Sequence, residues 1–245
     1  MLWFLILTIV IVISLCRKIL FPLKKCVRFS IEETPFKETS ITAKDHYTLI
    51  SIMERLHNLF EGKMPYFLIG GSLIGSIRYQ NRMPWDDDID IGIIQTDLSK
   101  FVSLDFASVG LGIKKVFFGY KVYDLKENRR QMLESNFPFV DVFTYDKVVE
   151  EKETFYQFTS QLARVKWPKE RFPETVLFPL TKCQYGDMHL WCPADYISFL
   201  NQAYPEWDRI AYISGSHTGQ FLFRNYSLPI NEQTNTQITE YLRGL

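Results

Sequence analysis

The chain has 245 residues, of which 47% are hydrophobic, and this favours one large domain with a substantial core over two small ones. Its formal net charge is zero, but residues 1–28 hold five basic side chains and no acidic one, which leaves 23 basic against 28 acidic side chains in the remainder. A nucleic-acid-binding surface is therefore not favoured.

The first stretch of the chain is apolar. Residues 1–16 contain no charged side chain, and the run ends at Arg17 and Lys18. An extension to residue 23 reaches the length of a membrane-spanning helix if these two basic side chains snorkel to the surface. We predict a membrane anchor at residues 1–23, followed by a linker at residues 24–41. The alternative is a cleaved signal peptide.

Two features give opposite predictions for the side of the membrane on which the domain lies. The five basic residues follow the apolar run, which by the positive-inside rule keeps the domain in the cytosol. The tripeptide Asn225-Tyr226-Ser227 is a glycosylation sequon, which acts only in the secretory lumen. We expect a single-pass protein of the Golgi or endoplasmic reticulum with a lumenal domain, and leave its orientation open.

A domain of mixed helices and strands is predicted over residues 42–245. It opens with a helix from Thr42 to Phe60, whose apolar residues recur at helical spacing and which stops before Gly62. A strand at Tyr66–Ile69 follows, then the Gly70-Gly71 turn and a helix from Ser72. Glycines let backbone N–H groups approach an anion closely, so this turn is a candidate phosphate site.

A second strand carries alternating carboxylates. Asp88 and Asp90 alternate with isoleucines, so both acids are expected on one face of the strand. Carboxylate pairs suit Mg²⁺, which prefers oxygen ligands and shares them with substrate phosphates. The same alternation predicts that Asp86 shares the face of Asp88, where it orients that residue, and that Asp87 faces away.

A third acid is predicted beside this pair. Residues 112–125 indicate a β-hairpin, and residues 137–144 form an apolar strand pattern that contains one acid, Asp141. A lone buried carboxylate is costly without a cation or strong donors, so Asp141 is the candidate third metal ligand. Residues 154–171 carry interleaved basic and aromatic side chains, which predict either a basic wall for a diphosphate or a solvated helix face.

Two cysteines lie in the next pair of predicted strands. These strands, over residues 177–193, flank a turn at Gly186-Asp187, and a helix begins near Pro193. Cys183 and Cys192 lie diagonally across this turn, which leaves both a disulfide and a free pair open.

Three linked segments resemble the LicD/fukutin family of phosphotransferases. They are Ile69-Gly-Gly-Ser72, Gly75-Ser-Ile-Arg78 and Pro84-Trp-Asp-Asp-Asp-Ile-Asp-Ile91. A fainter likeness extends through Gly186-Asp187 to Tyr204-Pro-Glu-Trp207, where Pro205 replaces the glycine of the family pattern. That replacement puts the acceptor side of the site in doubt and leaves the metal residues unaffected.

This resemblance implies an α+β fold, namely a nucleotidyltransferase-like mixed β-sheet with packed helices, behind the predicted membrane anchor. It implies Mg²⁺ or Mn²⁺ at Asp88, Asp90 and Asp141, which are also the catalytic residues. It further implies a substrate-binding set of Gly70, Gly71, Ser72, Arg78, Trp85 and Asp86. Arg78 either binds phosphate or pairs structurally with an acid of the motif.

The implied reaction moves a polyol phosphate or phosphocholine from a CDP-linked donor to a hydroxyl of a glycan or glycoconjugate, with release of CMP. Two alternatives stay open. One is nucleotidyl transfer from a nucleoside triphosphate, and the other is an inactive relative that binds a glycan or a partner protein in the secretory membrane.

Overall fold

The computed structural model describes residues 26–28, 41–127, 129–131, 134–213 and 225–243. The predicted anchor at residues 1–23 lies outside these residues. Among the described helices, none combines the length and apolar character needed to span a membrane. Inside the predicted linker, residues 26–28 form a short strand, so that part of the linker belongs to a sheet.

Helices and strands alternate irregularly along the domain. The α-helices are α1 (Ala43–Phe60), α2 (Gly70–Tyr79), α3 (Leu98–Ser103), α4 (Gln161–Lys166), α5 (Glu174–Leu177), α6 (Tyr196–Ala203) and α7 (Glu232–Arg243). The strands are β1 (Cys26–Arg28), β2 (Phe67–Leu68), β3 (Ile89–Ile94), β4 (Leu111–Val116), β5 (Gly119–Asp124), β6 (Arg129–Gln131), β7 (Glu134–Phe137), β8 (Phe139–Glu150), β9 (Glu153–Phe158), β10 (Arg171–Pro173), β11 (Thr181–Tyr185), β12 (Met188–Cys192), β13 (Ile210–Ile213) and β14 (Asn225–Pro229).

A seven-stranded mixed sheet forms the centre of the domain. Its main order is β10-β9-β8-β3-β2, and β4 joins through β5, which also pairs with β8. The β3 and β8 pair is parallel, whereas the other pairs of this sheet are antiparallel. The predicted α+β class with a mixed sheet is confirmed.

Strand β8 is the longest strand of the sheet and has different neighbours along its length. Its first half lies between β3 and β5, and its second half pairs with β9. Val140 and Val142 are fully buried on one face, while Asp141 projects to the other. The predicted strand at 137–144 is interrupted at Pro138, which separates β7 from β8.

Helix α1 begins and ends as the sequence predicts. The Thr42 hydroxyl accepts a hydrogen bond from the Asp45 amide at 3.1 Å, which caps the first turn. Its apolar face is fully buried through Leu49, Ile52, Met53 and Leu56.

The two strands predicted over residues 177–193 form the hairpin β11–β12. Cys183 and Cys192 form a disulfide across it, with Cα atoms 6.0 Å apart. Of the two alternatives left open by the sequence, the structure has the bridged one. Helix α6 follows, capped by the Asp195 carboxylate, which accepts from the Ser198 amide at 2.9 Å.

Candidate metal and phosphate site

The parallel pairing of β3 and β8 brings the predicted acids together. Asp90 and Asp141 are direct partners in the register of these two strands, so their side chains share one face of the sheet. Asp88 lies just before β3. Carboxylate oxygens of Asp88, Asp90 and Asp141 all lie within 4.8 Å of one another.

Three like charges at this distance repel one another. Burial raises the pKa of Asp90 well above its ordinary value, and the charges of Asp88, Asp141 and Asp86 raise it further, in that order. A divalent cation offsets this repulsion, and carboxylate oxygens are the ligands that Mg²⁺ and Mn²⁺ prefer. The donor set therefore fits the metal that the sequence predicts.

The prediction that Asp87 faces away from Asp86 and Asp88 is wrong, because these residues lie in the loop before β3. Regular strand structure begins only at Ile89, so alternation does not apply to residues 86–88. Asp87 is 3% exposed, and its carboxylate lies within 4.8 Å of those of Asp86 and Asp88. It belongs to the acidic cluster and does not face away from it.

The two glycines of the predicted phosphate turn lie against carboxylates. A Cβ atom at Gly70, where φ is +58°, would lie 2.7 Å from Oδ2 of Asp90. A Cβ atom at Gly71 would lie 2.5 Å from Oδ2 of Asp86. The turn needs glycine because Asp90 and Asp86 occupy the space beside it. Phosphate binding by this turn stays a prediction.

Ser72 connects β3 to the start of α2. Its Oγ is fully buried and accepts a hydrogen bond from the Asp90 amide at 2.8 Å. The backbone of Asp90 also accepts from the Ile69 amide at 3.2 Å. These contacts fix Asp90 from the turn side, which gives Ser72 a positioning role.

The other two predicted substrate-binding residues lie in structural contacts. Arg78 Nη2 donates to the Ile210 carbonyl of β13 at 2.8 Å, and its role in phosphate binding stays a prediction. Trp85 is 3% exposed and packs edge-on against Tyr79, with ring centroids 6.3 Å apart. Arg164 belongs to the basic stretch predicted at residues 154–171, and its Nη1 donates hydrogen bonds to the carbonyls of Phe158 and Thr159.

Arg82 organises the acidic loop, and the sequence did not single it out. It is fully buried, and its Nη1 donates to the carbonyls of Met83, Pro84 and Asp86 at 2.8, 3.0 and 2.9 Å. Its Nε lies 2.6 Å from Nδ1 of His46 in α1. The sequence signal for this role is an arginine four positions before an acidic run. The hydrogen-bond partners of Arg82, however, are determined by the fold.

The Arg82 contact makes His46 a source of pH-dependent stability. Burial, and then the charge of Arg82, lower the pKa of His46 from its ordinary 6.5 to about 4. The unfolded chain therefore takes up this proton first as pH falls, and stability is lost between about pH 6.5 and pH 4.

We expect the wild-type chain to lose about 1 to 2 kcal/mol more stability than His46→Gln when the pH falls from 7 to 5. Glutamine accepts from Arg82 but does not titrate, so the difference between the two chains isolates the histidine. Urea unfolding at both pH values measures it. Parallel losses in the two chains would contradict a neutral His46.

A second buried acid lies outside the cluster. Glu170 is 4% exposed and accepts hydrogen bonds from the hydroxyls of Tyr145 and Tyr204 at 3.0 and 2.8 Å. Burial raises its pKa to about 7, against the lowering effect of the two hydroxyls. Tyr145 packs over Gly92, on the sheet face that carries Asp90 and Asp141.

The described residues form an α+β domain with an acidic cluster on its mixed sheet. Residues 63–195 match the LicD/FKTN/FKRP nucleotidyltransferase domain, which is more than half of the chain. The chain belongs to this family, and its predicted family membership is confirmed.

Three curated relatives illustrate the family. An uncharacterized protein, RT0683 of Rickettsia typhi, is 30% identical over 79% of this chain and 57% of its own length. The lipopolysaccharide cholinephosphotransferase LicD of Haemophilus influenzae is 30% identical over 48% of this chain and 49% of its own length. The human ribitol 5-phosphate transferase FKRP is 30% identical over 55% of this chain and 26% of its own length. The chain thus spans about half, or less, of the two relatives with a named activity.

Two solved structures share a weaker likeness. ANT(2")-Ia in complex with adenylyl-2"-tobramycin aligns with a TM-score of 0.39 and 14% identity, over 65% of this chain and 79% of its own. The lincosamide antibiotic adenylyltransferase LnuA aligns with a TM-score of 0.36 and 13% identity, over 83% of this chain and 98% of its own. Scores this low carry no structural argument.

Proposed function

We propose that this chain is a phosphotransferase that moves a phospho-alcohol from a CDP-linked donor to a hydroxyl of a glycan or glycoconjugate. The observation that carries the proposal is the convergence of Asp88, Asp90 and Asp141 within 4.8 Å. Its family supports the reaction class, because the relatives with named activities are a cholinephosphotransferase and a ribitol 5-phosphate transferase.

In the proposed reaction, the acceptor oxygen forms a bond to the phosphorus that bears the alcohol. The bond from that phosphorus to the bridging oxygen breaks, and CMP leaves with that oxygen and its electron pair. The hydroxyl proton passes to a carboxylate of the cluster. Mg²⁺ or Mn²⁺ held by Asp88, Asp90 and Asp141 would neutralise the diphosphate and the charge on the leaving oxygen.

The chain's own contacts position these groups before substrate arrives. Ser72 fixes the backbone of Asp90, and Arg82 fixes the carbonyls of the loop that leads to Asp88. Gly70 leaves room for the Asp90 carboxylate at the turn. Pre-organisation of this kind lowers the reorganisation needed in the transition state.

The proposal includes attachment to a secretory membrane, in the Golgi or endoplasmic reticulum, through residues 1–23. It is supported by the apolar run at these residues and by the sequon at Asn225. The Cys183–Cys192 disulfide adds support, because disulfides persist mainly in oxidising compartments.

A product assay tests this function. The purified 245-residue chain is incubated with MgCl₂, a mixture of glycans as acceptors, and CDP-choline, CDP-ribitol, CDP-glycerol or CDP-ethanolamine, with products identified by mass spectrometry. We expect CMP from one donor class, and none when EDTA replaces MgCl₂. Pyrophosphate release from CTP with no CMP from any donor would instead indicate nucleotidyl transfer. Absence of both, together with absence of Mg²⁺-dependent CDP binding, would indicate an inactive relative.

A further inference from the structure

A row of charged side chains continues past the acidic cluster. Asp90 pairs with Asp141 between β3 and β8, Asp141 pairs with Lys121 between β8 and β5, and Lys121 pairs with Lys114 between β5 and β4. Residues directly opposite each other in neighbouring strands project to the same face. One face of four neighbouring strands therefore carries two acids followed by two lysines.

Lys121 is held firmly at the middle of this row. Its Nζ donates to both carboxylate oxygens of Asp141, at 3.0 and 3.2 Å, and the two side chains are 5% and 6% exposed. The ammonium also lies 3.3 Å from the centroid of the Phe139 ring. Lys121 thus places a fixed positive charge beside a carboxylate of the metal cluster.

Lys114 lies at the open end of the row. Its side chain is exposed, and β4 is an edge strand that pairs with β5. An anion that lies over this end of the row gains charge-assisted hydrogen bonds from the ammonium groups.

We propose that Lys121 and Lys114 form the subsite for the diphosphate of the nucleotide-linked donor, next to the metal carboxylates. This inference rests on the proposed function, since it assigns the anion to the donor of that reaction. The order of charges along the row suits this donor. The carboxylates would bind the cation, and the lysines would bind the phosphate oxygens that extend beyond it.

Calorimetry on the 245-residue chain tests the subsite with two probes, MgCl₂ alone and CDP in saturating MgCl₂. Lys121→Met is expected to weaken CDP binding at least tenfold. The same change should tighten Mg²⁺ binding roughly tenfold without nucleotide, because it removes a cation beside Asp141. A purely structural lysine would not shift the two affinities in opposite directions.

Lys114→Met is expected to weaken CDP binding about threefold, because solvent screens an exposed charge, and to change Mg²⁺ binding little. Lys115→Met is the matched control: it removes the same charge from the same strand, but Lys115 pairs with Tyr120 and projects from the opposite face. It should leave both affinities unchanged. Lys121→Arg keeps the charge and should restore most of the CDP affinity.

Equal CDP affinities in wild type, Lys114→Met and Lys121→Met, or an equal loss in Lys114→Met and Lys115→Met, would overturn the subsite. The comparison of the two β4 lysines stands even if Lys121→Met does not fold. A wild-type chain that binds no Mg²⁺ would instead overturn the metal site of the proposed function, and this inference with it.

Discussion

Replacing Asp90 by asparagine is expected to reduce CMP release at least a thousandfold, which corresponds to about 4 kcal/mol of transition-state stabilisation. Asparagine keeps the shape of the side chain and the backbone hydrogen bond to Ser72. It removes one carboxylate of the metal cluster, together with the charge repulsion that raises the pKa of Asp90. The melting temperature of the metal-free chain should therefore stay level or rise, while the increase caused by MgCl₂ disappears.

Asp187→Asn is the matched control for this change. Asp187 lies exposed in the turn between β11 and β12, and the same loss of charge there should leave CMP release and the response to MgCl₂ intact. Full activity of Asp90→Asn with a CDP-linked donor and Mg²⁺ would show that the mechanism is wrong.

Gly70→Ala is expected to destabilise the chain by about 2 to 3 kcal/mol and to reduce CMP release at least a hundredfold. Two costs combine. An L-residue at φ +58° is strained by about 1 kcal/mol, and the new Cβ atom would lie 2.7 Å from Oδ2 of Asp90, so this carboxylate has to move. Urea unfolding and the product assay measure the two effects.

Gly62→Ala separates these two costs. Gly62 has φ +64°, and a Cβ atom there meets no atom within 4 Å. Its replacement should cost only the backbone strain, about 1 kcal/mol, and leave CMP release unchanged. If Gly70→Ala were no more harmful than Gly62→Ala, the close approach of Asp90 to the turn would not matter for function.

The metal carboxylates were accessible from sequence because their pattern is local. Alternation of acids and isoleucines predicts the strand at Asp90, and an acid inside an apolar run predicts Asp141. Their direct pairing follows from the parallel register of β3 and β8, which no local pattern contains. Asp87 does not follow this alternation, because it lies in the loop before Ile89, where side chains do not alternate between two faces.

The groups that support the acids depend on long-range contacts. Lys121 meets Asp141 through strand register, and Arg82 meets His46 through the packing of α1 on the acidic loop. Arg78 pairs with Ile210, a partner 132 positions away in sequence. Such pairings require the tertiary structure, so the sequence indicates the charges but not their partners.

Anomalous X-ray scattering from crystals of the chain grown with MnCl₂ tests the central claim most directly. We expect one peak bonded to the carboxylates of Asp88, Asp90 and Asp141, at about 2.0 to 2.2 Å from their oxygens. The same crystals of Asp90→Asn should lose this peak. A wild-type peak held by Asp86 and Asp87 without Asp141, or no peak at all, would contradict the assignment of the metal centre.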